Sequence, residues 1–290
     1  MKFLSLPNEC DDFSILEELS ERKALSSYPM LRDEKENLIC QYLIYYLSKG
    51  NALELNEPLV LKKELKEALK RHYSTQPNGL EFIANIRKNS SPDICPMCGS
   101  LGTAEVDHVI PKDIYPEFSF FSKNLVPACD CNGKKGTALK DQNTKGRILH
   151  PYFDDILLNR LAFIRFSGDL KNPLLSIEVI PAHLHNPAVI YHITNVLKKT
   201  NILSWAAKTW SNILRSPESY FNSLFFIKGA VCEGAIVEVI TQKMISEEIL
   251  YRTPNSWNNM LLYGMNLNQD AAGFIKNQIN GIRDGSIVPS

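Results

Sequence analysis

Cys95-Pro96-Met97-Cys98-Gly99, then Glu105-Val106-Asp107-His108-Val109-Ile110-Pro111-Lys112, then Cys129-Asp130-Cys131-Asn132-Gly133-Lys134-Lys135-Gly136: these blocks, set within residues 95–136, decide how the chain reads. The first is a knuckle, two thiols one turn apart, with Gly99 relieving strain where the backbone bends around an ion. The third supplies a second close pair, Cys129 and Cys131. Two pairs converging on one ion give four sulfurs, the closed tetrahedral set that zinc prefers in structural sites. Four of the seven cysteines fall here, the count is odd and the chain is long. That usage suits metal binding in a reducing cytosol rather than a secreted disulfide framework.

The middle block sets an acid beside an imidazole. Val106, Val109 and Ile110 favour a strand, and Pro111 closes it. Neighbouring side chains on a strand point to opposite faces, so for Asp107 and His108 to serve one site the strand must end or twist there. Between this block and the second cysteine pair lies Asn124-Leu125-Val126-Pro127-Ala128.

In that order, Cys95-x-x-Cys98, Asp107-His108, Asn124-Leu125-Val126 and Cys131-Asn132-x-x-Lys135-Gly136 resemble the HNH endonuclease family, whose fold is the ββα-metal motif. The resemblance covers residues 94–150, about a fifth of the chain. It implies that Asp107 is a divalent-metal ligand and His108 the general base. It also implies that Asn124 braces the loop between two strands and that Asn132 on the helix adds a further metal contact. The chain departs from the family pattern in one place: the second pair is usually Cys-x-x-Cys-Asn, whereas only Asp130 separates Cys129 from Cys131. Either a bulge absorbs the difference or Asp130 replaces one sulfur at the zinc.

The chemistry of the residues agrees with that resemblance. Breaking a phosphodiester needs an activated water and neutralised charge, and a neutral imidazole can take a proton from water at cellular pH. The Asp107 carboxylate suits a hard ion such as Mg²⁺ or Mn²⁺, and the Asn132 amide adds an oxygen without more negative charge. Residues 123–147 hold six basic side chains against two acids, a local +4. Lys123, Lys134, Lys135 and Lys140, with Lys112 beyond the strand, read as contacts to a nucleic-acid backbone, giving affinity with little sequence preference.

Around this segment the reading is mostly α, with the ββα-metal motif and its Cys-rich zinc site as a small α+β insert between helical regions. Residues 1–93 form a helical lead-in. Helices are expected over Asp33–Lys49, from Pro58 along the stripe Leu61, Leu65, Ala68, Leu69 and His72, and over Leu80–Ile86, before a linker at residues 90–93. Residues 94–150 are the nuclease core, and residues 151–290 are a C-terminal region for partner docking. In it Leu161–Phe166 and Leu174–Ile180 read as a strand pair, with helices at Val189–Leu214, Val237–Tyr251 and Ala271–Ile282. His150-Pro151-Tyr152-Phe153 either walls the site or returns the chain to the helical body. The tryptophans are read as packing anchors, and Cys10, Cys40 and Cys232 as isolated buried thiols.

Lys and Arg together number 32, as do Asp and Glu, which argues against a wholly basic binding protein without excluding a local basic site. The opening apolar run stops at Pro7, too soon for a secretory signal, and no run is long enough to span a bilayer. The expectation is a cytoplasmic, metal-dependent HNH endonuclease acting on nucleic acid, DNA in the first instance. The layout is similar to HNH subunits of Septu-type and retron-associated antiphage systems, which implies an ATPase partner. The competing expectations are a non-catalytic, zinc-stabilised nucleic-acid binder or scaffold, and an RNA-cleaving nuclease.

Overall fold

Helix-forming sequence dominates the chain: in the computed structural model about half of the residues are helical and the strands are few and short. The structure describes residues 1–7, 10–88 and 93–288, so residues 90–92 of the expected linker lie outside the described residues. The chain forms two units, Met1–Leu157 with His185–Lys199, and Leu158–Leu184 with Thr200–Ser290. The expected segments 1–93 and 94–150 therefore share one unit, which also recovers a stretch from beyond residue 151.

In the first unit, α1 (Asp12–Glu21) starts where the Asp11 carboxylate accepts the backbone N–H groups of Phe13 and Ser14, a cap that the sequence reading passed over. Next, α2 (Met30–Leu47) ends before Lys49 and Gly50, both at positive φ. At Gly50 a Cβ would lie 2.5 Å from the His150 ring, so close approach as well as the turn requires glycine. The stripe Leu65, Ala68, Leu69 and His72 is buried as expected on α3 (Lys63–Thr75). That helix begins later than Pro58, because Leu59 N–H is taken by the Glu117 carboxylate at 2.9 Å and Lys62 is extended. After α4 (Phe82–Lys88) come the antiparallel strands β1 (Glu105–His108) and β2 (Leu125–Ala128), with Asp107 opposite Val126 and His108 opposite Leu125. A single helical turn, α5 (Cys131–Lys135), follows directly. A short ribbon, β3 (Lys140–Asp141) and β4 (Gly146–Arg147), packs against α6 (Pro187–Asn195).

The core of this unit joins α1 to α4 with the loop between β1 and β2. Tyr42 stacks on Phe121 at 4.2 Å, and Tyr45 meets Phe118 and Phe121 edge-on at 4.9 and 5.1 Å. That loop is consequently an aromatic-filled piece of the interior rather than a surface excursion.

In the second unit, β5 (Ala162–Ser167) and β6 (Leu174–Val179) form the expected hairpin, with Gly168 at φ 78 in its turn. The single helix expected over Val189–Leu214 is broken: α6 ends before Val196, a 3₁₀ turn spans Leu197–Lys199, and α7 (Ile202–Arg215) starts afresh. Then come α8 (Pro217–Tyr220), α9 (Glu233–Tyr251), α10 (Trp257–Leu267) and α11 (Ala271–Asp284). No helix was expected at α10, which packs against β5, α9 and α11. Trp210 anchors packing, its Nε1–H donating to the Leu170 carbonyl at 2.8 Å. The expected burial of the lone thiols does not hold: Cys40, on the outer side of α2, and Cys232, capping α9, are exposed, and Cys10 is half-buried. No described helix is long and apolar enough to cross a membrane.

The packing of α10 on β5 leaves no room for a side chain at Gly264, where a Cβ would fall 1.7 Å from the Ile164 carbonyl oxygen, whereas nothing lies within 4 Å of one at Gly234 in α9. Gly264→Ala should cost about 3 kcal/mol and Gly234→Ala should gain up to about 1 kcal/mol. Thermal melts of the two variants check both, and equal Tm values would contradict this packing.

Candidate functional site

The four cysteines converge. Their Sγ atoms all lie within 4.8 Å of one another, with Cys95 and Cys131 at 3.7 Å and Cys98 and Cys129 at 3.4 Å. A zinc tetrahedron with Zn–S bonds of about 2.3 Å has edges of about 3.8 Å, so the spacing fits that ion and is far too long for disulfides. The question of the fourth ligand is answered in favour of sulfur: both Cys129 and Cys131 point in, while the Asp130 carboxylate turns to Lys134 at 2.5 Å. The knuckle closes through Gly99 N–H to the Cys95 carbonyl and Cys95 N–H to the Ser100 carbonyl, with Gly99 at φ 85. Hydrogen bonding with Cys131 holds Cys129 well below the usual thiol range, while the same contact raises Cys131, and burial raises Cys95. Four thiolates this close need a soft dication between them.

Backing for the knuckle comes from α6. The buried His192 Nδ1 accepts Leu149 N–H at 3.1 Å, so its Nε2–H donates to the Met97 carbonyl at 2.7 Å. No spacing rule in the sequence pointed to this contact across 95 residues.

The strand pair presents a second group. Glu105 and Asp107 share one side of β1 by alternation, and Asn132 and Lys135 share one side of α5 at i, i+3. The two sides meet: Asn132 Nδ2 donates to Glu105 Oε2 at 3.1 Å, and Lys135 Nζ pairs with Asp107 Oδ1 at 2.9 Å. Asp107 and Lys135 are both almost fully buried, and Asp107 Oδ2 has no hydrogen-bond partner among the described residues. Burial pushes Asp107 above the usual carboxylate range against the pull of Lys135. An orphaned carboxylate oxygen beside a second acid and an amide is a donor set of the kind hard dications take. Glu105 was not among the expected site residues; the signal for it is its position two residues before Asp107, on the same side of the strand.

His108, the last residue of β1, is buried, and its Nε2–H donates to the Ser119 carbonyl at 2.8 Å. The ring lies 4.4 Å from Tyr73 of α3, edge-on, and Lys112 sits over the far ring at 5.2 Å. Burial, then Lys112, lowers the imidazole to about 3, so the ring is neutral at cellular pH and its Nδ1 carries the lone pair. Lys112 and Lys135 act electrostatically on both Asp107 and His108. Asn124 sits where the loop closes. Its Nδ2 donates to the Ile110 and Phe118 carbonyls at 2.9 and 3.2 Å, and its Oδ1 accepts Ile110 N–H at 2.8 Å and Tyr45 O–H at 2.9 Å.

The lysines expected on a phosphate-facing surface divide. Lys134 is exposed but paired with Asp130, and Lys112 is half-buried over the Tyr73 ring. Lys135 is buried on Asp107, Lys123 is bound to Asp12 at 2.9 Å and the Cys10 carbonyl, and Lys140 donates to the Ala52 carbonyl at 2.8 Å. Their charge is spent on internal partners, a fate that counting charges along a sequence cannot reveal. Beyond them, Arg147 grips Asp154 with both nitrogens at 2.6 Å, and Asp154 accepts His150 N–H.

Two relatives match parts of the chain. Protein ea31 of Escherichia phage lambda is 46% identical over 68 residues, 22% of this chain and 23% of that protein. Septu protein PtuB of Bacillus thuringiensis is 45% identical over 51 residues, 17% of this chain and 19% of that protein. The matches thus span about a fifth of the length of these relatives. No family model matches the chain, and no solved structure matches it.

Cys95→Ser should release zinc and unfold the first unit, since metal binding at a four-sulfur site is folding free energy, whereas Asp130→Ala should retain the metal. Elemental analysis with circular dichroism tests the pair; zinc lost from Asp130→Ala would return the carboxylate to the ligand set. A second prediction concerns pH. Burial alone would raise Asp154, but the Arg147 pair and the His150 N–H hold it below the usual carboxylate range. A depressed folded-state value gives stability that is present above the unfolded value near 4 and is lost as pH falls through the folded one. The Tm gap between wild type and Asp154→Asn should therefore be full at neutral pH and shrink below about pH 4. A gap independent of pH would refute the ion pair.

Proposed function

We propose that the chain is an HNH-type, metal-dependent endonuclease that hydrolyses phosphodiester bonds of DNA, with His108 as the general base. The observation that carries this reading is the paired state of His108: Nε2–H is committed to the Ser119 carbonyl, which leaves Nδ1 as the basic atom. The order of β1, β2 and α5, with Asp107 and His108 ending the first strand and Asn132 on the helical turn, supports the ββα-metal assignment.

In this mechanism Nδ1 of His108 takes a proton from the attacking water, the water oxygen bonds to phosphorus, and the P–O bond to the leaving oxygen breaks, that oxygen taking a proton from solvent. The Ser119 carbonyl steadies the imidazolium so formed. Asp107 and Asn132, with Glu105 alongside, would hold Mg²⁺ or Mn²⁺, which supplies charge neutralisation at the phosphate when bound. Tyr73 keeps bulk water off one face of the imidazole. The match to a Septu protein supports a role in antiphage defence, and an ATPase partner belongs to the same proposal. Pulldown of the full chain from its native host tests that part.

A second reading has an observation in its favour. Lys135 holds Asp107 and Asn132 holds Glu105, the arrangement expected of a zinc-stabilised nucleic-acid binder without catalysis. Incubating the purified protein with plasmid DNA or RNA and Mg²⁺ or Mn²⁺ separates the two. Cleavage should fall at least about 100-fold in His108→Ala and equally in Asp107→Asn, which keeps a partner for Lys135. Undiminished cleavage by His108→Ala would remove the imidazole from the mechanism.

A further inference from the structure

A directed chain of hydrogen bonds runs into the His108 loop from outside the strand pair. His150 is fully buried and packed against Tyr45 and Phe153. Its Nδ1 accepts Tyr152 N–H at 3.2 Å, so the neutral ring carries its proton on Nε2, which faces Tyr45 Oη at 2.8 Å. Tyr45 Oη thus accepts from His150, and its own proton goes to Asn124 Oδ1 at 2.9 Å, the Lys123 carbonyl at 3.5 Å being the poorer acceptor. Burial keeps His150 neutral, lowering it to about 3 against the influence of Asp154, so this direction holds across the physiological range.

Asn124 passes the constraint on. Its amide clamps Ile110 through both backbone groups and Phe118 through the carbonyl. Ile110 is two residues after His108, and Phe118 is the residue before Ser119, whose carbonyl receives His108 Nε2–H. The two ends of the His108–Ser119 hydrogen bond are therefore set by one amide, and that amide is oriented by Tyr45. From this geometry we infer that Tyr45 and His150 are positioning residues for His108: Tyr152 N–H, His150, Tyr45 and Asn124 form a relay that fixes the imidazole so that Nδ1 faces the substrate phosphate. The inference rests on the reading of His108 as the base, while the relay itself can be tested without any activity.

The test uses the full chain carrying ¹⁵N-labelled histidine. His108→Ala assigns the His108 ring signals, and His192, another Nε2–H donor, serves as internal standard. Wild type should show His108 as the Nε2–H form with a slowly exchanging proton. Tyr45→Phe keeps the ring contacts with Phe118 and Phe121 and removes only the hydroxyl. Exchange at His108 Nε2 should quicken roughly tenfold with His192 unchanged. His150→Leu should act in the same way, and His150→Gln, which retains a donor, should restore the wild-type rate. In plasmid cleavage Tyr45→Phe should lower kcat roughly threefold to tenfold with KM unmoved. Unchanged exchange in folded Tyr45→Phe and His150→Leu would overturn the relay. No cleavage by wild type would count against the nuclease reading, while the exchange rates still judge the relay.

Discussion

A side-chain amide offers two donors and two acceptor sites, and Asn124 uses all four in a pocket with no solvent exposure. An unmet polar group there costs about 1–3 kcal/mol, so the loop from Val109 to Lys123 has little freedom to take another path. The aromatic fill works in the same direction. Phe118, Phe121 and Tyr42 interlock on α2, and shifting the loop would break ring contacts and the amide clamp together. The acceptor for His108 is thereby built from the centre of the unit outward.

The same logic explains a helix that is too short to exist unaided. One turn of α-helix lies below the length at which helices persist in water, yet α5 is fixed at both ends. Cys131 opens it from within the sulfur cluster, and Lys135 closes it on Asp107 and the His108 carbonyl. The soft donor set anchors the start of α5 and the ion pair anchors its end, which leaves Asn132 little choice but to lie over Glu105. The two donor classes are chemically separate and mechanically linked.

Much of this was readable from residue order. The cysteine spacing announced a four-sulfur site because thiolates are few and their chemistry is narrow. The stripe of α3 and the β5–β6 strand pair followed from periodicity, while the role of Asn124 as a loop brace was implied by the family resemblance alone. What escaped reading depends on distance along the chain. Tyr45 looked like one more apolar position of a helix, His150 like either a wall of the site or the chain's return to the helical body, and His192 like nothing in particular. Each acts across 40 to more than 100 positions, and local pattern contains no record of that. The lysines erred the other way: charge counting treats every ammonium as free, but Lys123, Lys135 and Lys140 each found an internal oxygen.

The buried ion pair bears on how a hard dication would be accommodated. A charge stranded in the interior is costly, so a lysine that loses its carboxylate to an arriving ion would ordinarily oppose that ion. Lys135 is not in that position. Its ammonium already donates to the His108 carbonyl at 2.7 Å and lies 3.5 Å from that of Val109, and these oxygens would remain as its partners were Asp107 to turn to an ion. The carbonyl it holds belongs to the residue that carries the imidazole. On the proposed reading, then, Lys135 would not have to leave for an ion to bind: the nitrogen that pairs with Asp107 also steadies the backbone of the base. The orphaned Asp107 Oδ2 is the oxygen that would be offered to such an ion.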